Sequence, residues 1–310
     1  MGETGFPADW TADPRDPSRH REVPFQIRRP DHQFVPFVFN SPHSGSFYPE
    51  AFLAASCLDR QSIRRSEDFM VDALFGSVGA LGAPLMRAVY PRAYLDVNRE
   101  PYELDPRMFS DRLPPFANVR SLRVAGGLGT IPRIVSDTAP IYRSPLRVEE
   151  AMARIRDIYH PYHEALSGLL LETHETFGQA VLIDCHSMPS HLKGVSARSR
   201  PDFVLGDRFG TSCMPELTEA AVQFLVAQGY NVARNKPYAG GFITEHYGRP
   251  YGGLHTLQIE VNRALYMDEA ALAPHEGFDD LRANLEGLAQ ALIETMGTFS
   301  LPLALREAAE

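Results

Sequence analysis

The feature that most constrains this chain is a run of four apolar residues, Ala180-Val181-Leu182-Ile183, closed by Asp184. The run is short and apolar at every position rather than at alternate ones. Such a strand is covered on both faces, as in a parallel sheet that lies between layers of helix.

The rest of the chain repeats the theme. Phe34 to Phe39 is β-branched and aromatic and ends at Asn40-Ser41-Pro42, which reads as a first buried strand closing into a loop. Further strands are expected at Pro84 to Val89, Ala93 to Val97, Phe203 to Leu205 and Leu254 to Val261, with Asn231 to Arg234 as an edge strand. Helical rhythm appears from Asp59 to Gly79, with Ile63, Val71, Leu74, Phe75 and Val78 as its apolar positions. Val148 to Phe177 reads as a long helix, kinked or restarted at Pro161, with Glu149 and Glu150 in the first turn where the helix dipole favours acids. Pro215 to Gln228, stopped by Gly229, and Phe278 to Thr298 complete the helices. Pro101 to Pro145 is dense in Pro, Gly and Arg without a period, the mark of a lid or substrate-facing loop. Strands alternating with helices predict an α/β fold of three layers, α/β/α, around a mixed, mostly parallel sheet. No Pro/Gly/Ser-rich linker divides the 310 residues, so one domain is expected over 1–310, with 1–33 as an irregular N-terminal arm.

Composition narrows the function. The formal net charge is -9, whereas a nucleic-acid binder carries a basic stripe, so neither nucleic acid nor an anionic membrane is an expected partner. No apolar run approaches the roughly 20 residues that span a bilayer, and no apolar signal segment opens the chain; a cytoplasmic location is expected. The three cysteines have no CxxC spacing, which disfavours a disulfide framework or a cysteine zinc knuckle. GxSxG, GxGxxG and Walker A patterns are absent, against serine-hydrolase, dinucleotide and NTPase readings. A small molecule is the expected partner.

The chemistry-bearing residues fall at strand ends, where ligands collect in open α/β sheets. His43 follows the first strand, and His186 follows the apolar run, just past Asp184. Two histidines so placed could share a metal, or could be loop residues that satisfy backbone groups. A catalytic zinc takes three protein ligands and one open position. Glu67 and Asp68 are the candidate carboxylates, although an acidic pair at a helix start also answers the helix dipole. Glu260, near the end of Leu254 to Val261, suits a general base or acid; a salt bridge to Arg263 is the structural alternative. Asp96-Val97-Asn98-Arg99 ends another expected strand, and Arg99, Arg92 and Arg143 are candidates to hold a substrate carboxylate or to form ordinary surface ion pairs. Cys185 points away from His186 on an extended chain, so it reads as core rather than nucleophile.

Taken in order, Ser41-Pro42-His43-Ser44-Gly45, Asp68 with Asp72 and Leu74, Asp96-Val97-Asn98-Arg99, Asp184-Cys185-His186-Ser187, Leu205-Gly206-Asp207, Gly240-Gly241-Phe242-Ile243-Thr244, His246-Tyr247-Gly248 and Gln258-Ile259-Glu260 form a set. This set resembles the N-formylglutamate amidohydrolase (deformylase) family, from about Phe37 to Asp268. The resemblance implies kinship with zinc carboxypeptidases and aspartoacylase, and hence a zinc exopeptidase (phosphorylase/hydrolase-like) fold. It implies Zn2+, or another divalent metal, held by His43, Asp68 and His186, with Glu67 as the rival of Asp68. Glu260 is implied as the general base, Arg99 with Asn98 as the substrate-carboxylate pair, and Asp184 and Asp96 as residues behind the ligands. The implied reaction is hydrolysis of N-formyl-L-glutamate to formate and L-glutamate in histidine degradation. One departure stands out. Where many members carry an arginine before His246-Tyr247-Gly248, this chain has Glu245. The alternatives are the same chemistry on another N-acyl or N-formyl amino acid or a small peptide, and a non-catalytic carboxylate-binding protein.

Overall fold

The computed structural model describes residues 23–135, 139–191 and 200–299. Its strands are β1 (Phe25–Arg28), β2 (Phe37–Ser41), β3 (Leu85–Ala88), β4 (Ile134–Val135), β5 (Ala139–Pro140), β6 (Ala180–Met188), β7 (Phe203–Gly206), β8 (Val232–Arg234), β9 (Leu254–Asn262), β10 (Met267–Asp268) and β11 (Ala273–Pro274). The helices are α1 (Glu50–Ala55), α2 (Val71–Leu74), α3 (Leu122–Ala125), α4 (Val148–Arg154), α5 (His160–Phe177), α6 (Pro215–Ala227), α7 (Phe242–Tyr247) and α8 (Gly277–Phe299). Seven strands form one sheet in the order β1-β3-β2-β6-β9-β7-β8. Neighbours run parallel except at β1/β3 and β7/β9. The sheet is thus mixed and mostly parallel, as expected.

Strand alternation builds the three layers. Phe37, Phe39, Val181, Ile183 and Cys185 point to one face, where α2, α6 and α8 pack. Val38, Ala180 and Leu182 point to the other, covered by α5. All nine residues of β6 are buried, which is why its apolar run alternates with nothing. Cys185 lies in the core and His186 faces the opposite way. No helix among the described residues is long and apolar enough to cross a membrane.

Four expectations need correction. Residues 1–22 of the expected arm lie outside the described residues, but Phe25–Arg28 is edge strand β1, antiparallel to β3. There Phe25 and Ile27 pack on the core, while Gln26 accepts two hydrogen bonds from Arg87. Ala93 to Val97 is no strand: the Tyr94 and Leu95 N–H groups both turn back to the Pro91 carbonyl. Its apolar residues at every second position, Ala93, Leu95 and Val97, imitated one. Asp59 to Gly79 is not a continuous helix. It breaks into a tight turn at Ser62–Ser66, one α turn at α2 and another tight turn at Gly76–Gly79, with Met70 left-handed at φ 55. The break frees the Asp68 N–H to bond the His43 carbonyl at 3.0 Å. Finally, β6 runs on to Met188, so His186 sits inside the strand rather than past it.

Elsewhere the expectations hold closely. α4 and α5 form one helical run joined by a π-helical turn at Ile155–Tyr159, immediately before Pro161. A proline cannot donate to the preceding turn, and widening the helix absorbs the missing bond. Described residues between 101 and 145 contain only short turns, the one-turn helix α3 and the two-residue strands β4 and β5.

The loop after β2 carries His43, and Gly45 lets it sit close to the strand end at Tyr90. A Cβ on Gly45 would lie 2.1 Å from the Tyr90 carbonyl oxygen and 2.8 Å from that of Val89. Backbone cannot yield as a flexible side chain can. Gly45→Ala is therefore expected to destabilise the protein by about 3 kcal/mol or more. Urea denaturation checks this, and an unchanged midpoint would count against the packing described.

Candidate metal centre

The parallel register places the site. His186 on β6 is the Cα partner of Glu260 on β9, and Asp184 is the partner of both Gln258 and Asn40. Because residues two apart share a face, Asp184, His186, Gln258, Glu260 and Asn40 all look to the α5 side near the carboxyl ends of their strands. His43 reaches the same place from the loop after β2. Asp68 is tied to that loop twice: its N–H bonds the His43 carbonyl, and its carbonyl accepts from Ser44 Oγ at 3.2 Å.

His43, Asp68 and His186 form a buried group whose donor atoms all lie within 4.8 Å of one another, close enough to hold one metal ion. His43 Nε2 stands 2.7 Å from Asp96 Oδ1, and His186 Nε2 stands 3.1 Å from Asp184 Oδ2. The Nδ1 atoms of both rings face Asp68 Oδ2, at 3.4 Å from His43 and 2.9 Å from His186. A metal bound to Nδ1 of each ring would leave Nε2 to donate to the carboxylate behind it. His43 Nδ1 is buried and has no hydrogen-bond partner. A divalent cation satisfies this donor set, and carboxylates behind metal-binding histidines are the usual support.

The rivalry between the adjacent acids resolves by contact. Glu67 is spent on a bidentate fork from Arg64, at 2.9 and 3.0 Å, and on the Tyr48 hydroxyl at 2.7 Å. Asp68 turns the other way. Its Oδ1 accepts from Arg263 Nη2 at 3.2 Å, and the same guanidinium bonds the Glu67 and Arg65 carbonyls and Ser187 Oγ. Arg263, foreseen only as a salt-bridge partner of Glu260, instead fixes Asp68. The distance in sequence, 195 residues, gave no signal for that pairing.

Charges in this space hold one another in unusual states. Burial alone would raise Asp68, but hydrogen bonds from His186 and His43 outweigh it and hold the carboxyl well below its ordinary value. Burial would likewise raise Asp96, and the Arg92 and Arg99 charges override it. Burial would lower His186; Asp184, Asp68 and Glu260 outweigh it and raise the imidazole well above its ordinary value. Glu260 is pushed up to about 7, first by burial and also by the charge of Asp68, against the pull of His186, Arg92 and Arg263. Its Oε1 accepts from Gln258 Nε2 at 2.9 Å.

Among the arginine candidates, Arg92 donates through Nη2 to Asp96 Oδ2 at 2.8 Å and has no other hydrogen-bond partner among the described residues. Its environment includes Asp96, Asp68 and Glu260. Arg99 is committed to the Leu128 and Asn98 carbonyls, at 2.9 and 2.8 Å, with Asp96 3.6 Å away. Asn98 is buried; its Oδ1 accepts the Ile243 N–H at 2.8 Å, and its Nδ2 lies 3.1 Å from His186 Nε2 and 3.5 Å from Asp184 Oδ2. Arg143 is exposed and bonds the Ser56 carbonyl at 2.6 Å, with no contact to the metal group among the described residues. Glu245 pairs with Arg208 at 2.7 Å, and the exposed His246 stacks on Phe242. Asn40 and Tyr162, which the sequence reading passed over, stand behind Asp184.

A His/Asp/His group with a carboxylic acid beside it, at the carboxyl ends of central strands, is the donor set of metal-assisted hydrolases. Comparison with known proteins gives the family. Residues 35–267 match the model of the N-formylglutamate amidohydrolase family, and the chain belongs to that family. A crystal structure of N-formylglutamate amidohydrolase from Ralstonia eutropha superposes with a TM-score of 0.82 at 37% identity, over 89% of this chain and 98% of that one. N-formylglutamate deformylase from Pseudomonas aeruginosa is 29% identical over 265 residues, 84% of this chain and 92% of that protein. The Pseudomonas putida deformylase is 30% identical over 239 residues, 76% and 83% respectively.

A metal entering this group must displace the proton that the raised His186 carries in its absence. Metal affinity is therefore expected to fall on acidification, and zinc uptake near pH 7 to release about one proton. Calorimetric titration in buffers of different ionisation enthalpy measures this release. Binding without proton release would contradict the arrangement of His186.

Proposed function

We propose that the chain hydrolyses the formyl amide of N-formyl amino acids, N-formylglutamate foremost, with a divalent metal, zinc by the chemistry of its donors, held by His43, Asp68 and His186. The observation that carries this reading is the convergence of two imidazole Nδ1 atoms and a carboxylate oxygen beside the Glu260 carboxyl. The names of the relatives support the substrate class, and a step in histidine breakdown follows from it. A protein that only bound carboxylates would have no use for a buried acid next to a metal group.

When bound, the metal supplies Lewis-acid polarisation of the amide carbonyl and lowers the pKa of a water toward about 7. The remaining steps belong to the chain. Gln258 holds Glu260 Oε1, which leaves Oε2 to take the proton from the attacking water. Glu260 then returns that proton to the leaving amine. A cation beside Glu260 favours its ionised form, so the acid works as a base at neutral pH. Arg92 has guanidinium N–H groups to spare for a substrate carboxylate or for charge developing on the formyl oxygen. Arg99, with its N–H groups on carbonyls, serves to hold Asp96 and the Asn98 segment.

Arg208 and Glu245 favour a second reading of the substrate. An arginine at position 245 would offer a free cation to a side-chain carboxylate. Here Glu245 neutralises Arg208 instead, which favours N-formyl amino acids with uncharged side chains over N-formylglutamate.

Formate release from a panel of N-formyl amino acids, measured with zinc-loaded protein, tests both readings. Hydrolysis of at least one member is expected, and N-formylglutamate leading the panel would favour the first reading. Glu260→Gln is expected to keep its zinc and to lose at least about 100-fold in kcat. Failure to release formate from any member would defeat the proposal, and normal turnover by Glu260→Gln would defeat the role given to that residue.

A further inference from the structure

We infer that Tyr162 and Asn40 are positioning residues that set the orientation of His186 through Asp184. The inference rests on His186 being a metal ligand and goes beyond it, to what makes this histidine a competent one. A buried chain of four side chains crosses from the helical layer to the site. Tyr162, on α5, donates its hydroxyl to Asn40 Oδ1 at 2.5 Å. Asn40 Nδ2 donates to Asp184 Oδ1 at 3.1 Å, and Asp184 Oδ2 stands 3.1 Å from His186 Nε2. Tyr162, Asn40 and Asp184 are wholly buried and His186 nearly so, which leaves no bulk water to replace a lost partner.

The direction of the first two bonds in this chain is determined. Burial, and then the charge of Asp184, hold the Tyr162 phenol well above its ordinary value, so it keeps its proton and donates. Asn40 must therefore present Oδ1 to the phenol. Turning the amide over would set Oδ1 against the Asp184 carboxylate, acceptor against acceptor. With Nδ2 fixed on Asp184 Oδ1, the carboxylate is held with its other oxygen toward the ring. His186 is thereby oriented with Nε2 on Asp184, at 3.1 Å, and Nδ1 toward the metal position and Asp68, at 2.9 Å. Sheet register makes the central link automatic, because Asn40 and Asp184 are Cα partners on β2 and β6.

The two histidines are consequently supported in different ways. Behind His43, Asp96 is balanced by the guanidinium groups of Arg92 and Arg99. Behind His186, Asp184 has no arginine or lysine in ion-pair contact among the described residues; its partners are neutral donors and the ring itself. No cation thus competes with His186 for Asp184 among the described residues. The amide and phenol orient the carboxylate without quenching it.

Tyr162→Phe removes the first donor and keeps the ring that packs the core. Zinc affinity, measured by competition with a chromophoric chelator, is expected to fall by about 10-fold or more. A hydrogen bond that merely stabilised the fold would lower the urea midpoint and leave the zinc affinity of the folded protein at the parent value. Parent-like zinc affinity in folded Tyr162→Phe would overturn the inference. Absence of zinc binding by the parent itself would overturn the metal reading, and this inference with it.

Discussion

The in-register parallel pairing of β6 between β2 and β9 is the constraint on which the rest of this structure depends. It puts His186 beside Glu260 and Asp184 between Asn40 and Gln258, with no freedom for any of them to drift. A slip of one residue would exchange the polar face of β6 for Val181, Ile183 and Cys185, and the site would vanish into the opposite core. The hydrophobic pattern that closes both layers therefore also sets the chemistry. Packing and site share one register.

That register leads to a concentration of charge in a dry place. Asp68, Asp96, Asp184 and Glu260 are all buried within a few side chains of one another. Burying isolated carboxylates costs several kcal/mol each unless they are paired. Arg263 offsets Asp68, Arg92 offsets Asp96, and His43 and His186 bridge between them. The pairing is still incomplete, since His43 Nδ1 is buried without a hydrogen-bond partner. A divalent ion held there would supply that partner and balance the surplus of negative charge. The protein would then gain stability from it as well as reactivity.

Much of this was legible in the sequence, for identifiable reasons. The doubly covered strand at Ala180 to Ile183 shows in its composition, and two histidines and a glutamate at strand ends follow from the logic of open α/β sheets. What stayed hidden was contact between distant segments. Glu67 and Asp68 are adjacent and chemically alike, so only the Arg64 fork on one and Arg263 on the other tells them apart. Tyr162 on an amphipathic helix looks like any core aromatic until its hydroxyl meets Asn40 across 122 residues. Apolar residues at every second position, Ala93, Leu95 and Val97, mimicked a strand, whereas the chain turns there and buries Asp96 as well. β1 escaped notice because all four of its residues are only half-buried, so it lacks an apolar run.

The most direct test is anomalous diffraction from crystals grown with zinc, recorded on both sides of the zinc absorption edge. The expected result is a single strong peak bonded at about 2.0–2.2 Å to Nδ1 of His43, Nδ1 of His186 and a carboxylate oxygen of Asp68. The Nε2 atoms should remain on Asp96 and Asp184. A peak bound through either Nε2, or zinc located only away from these three side chains, would contradict the geometry on which the proposed chemistry stands.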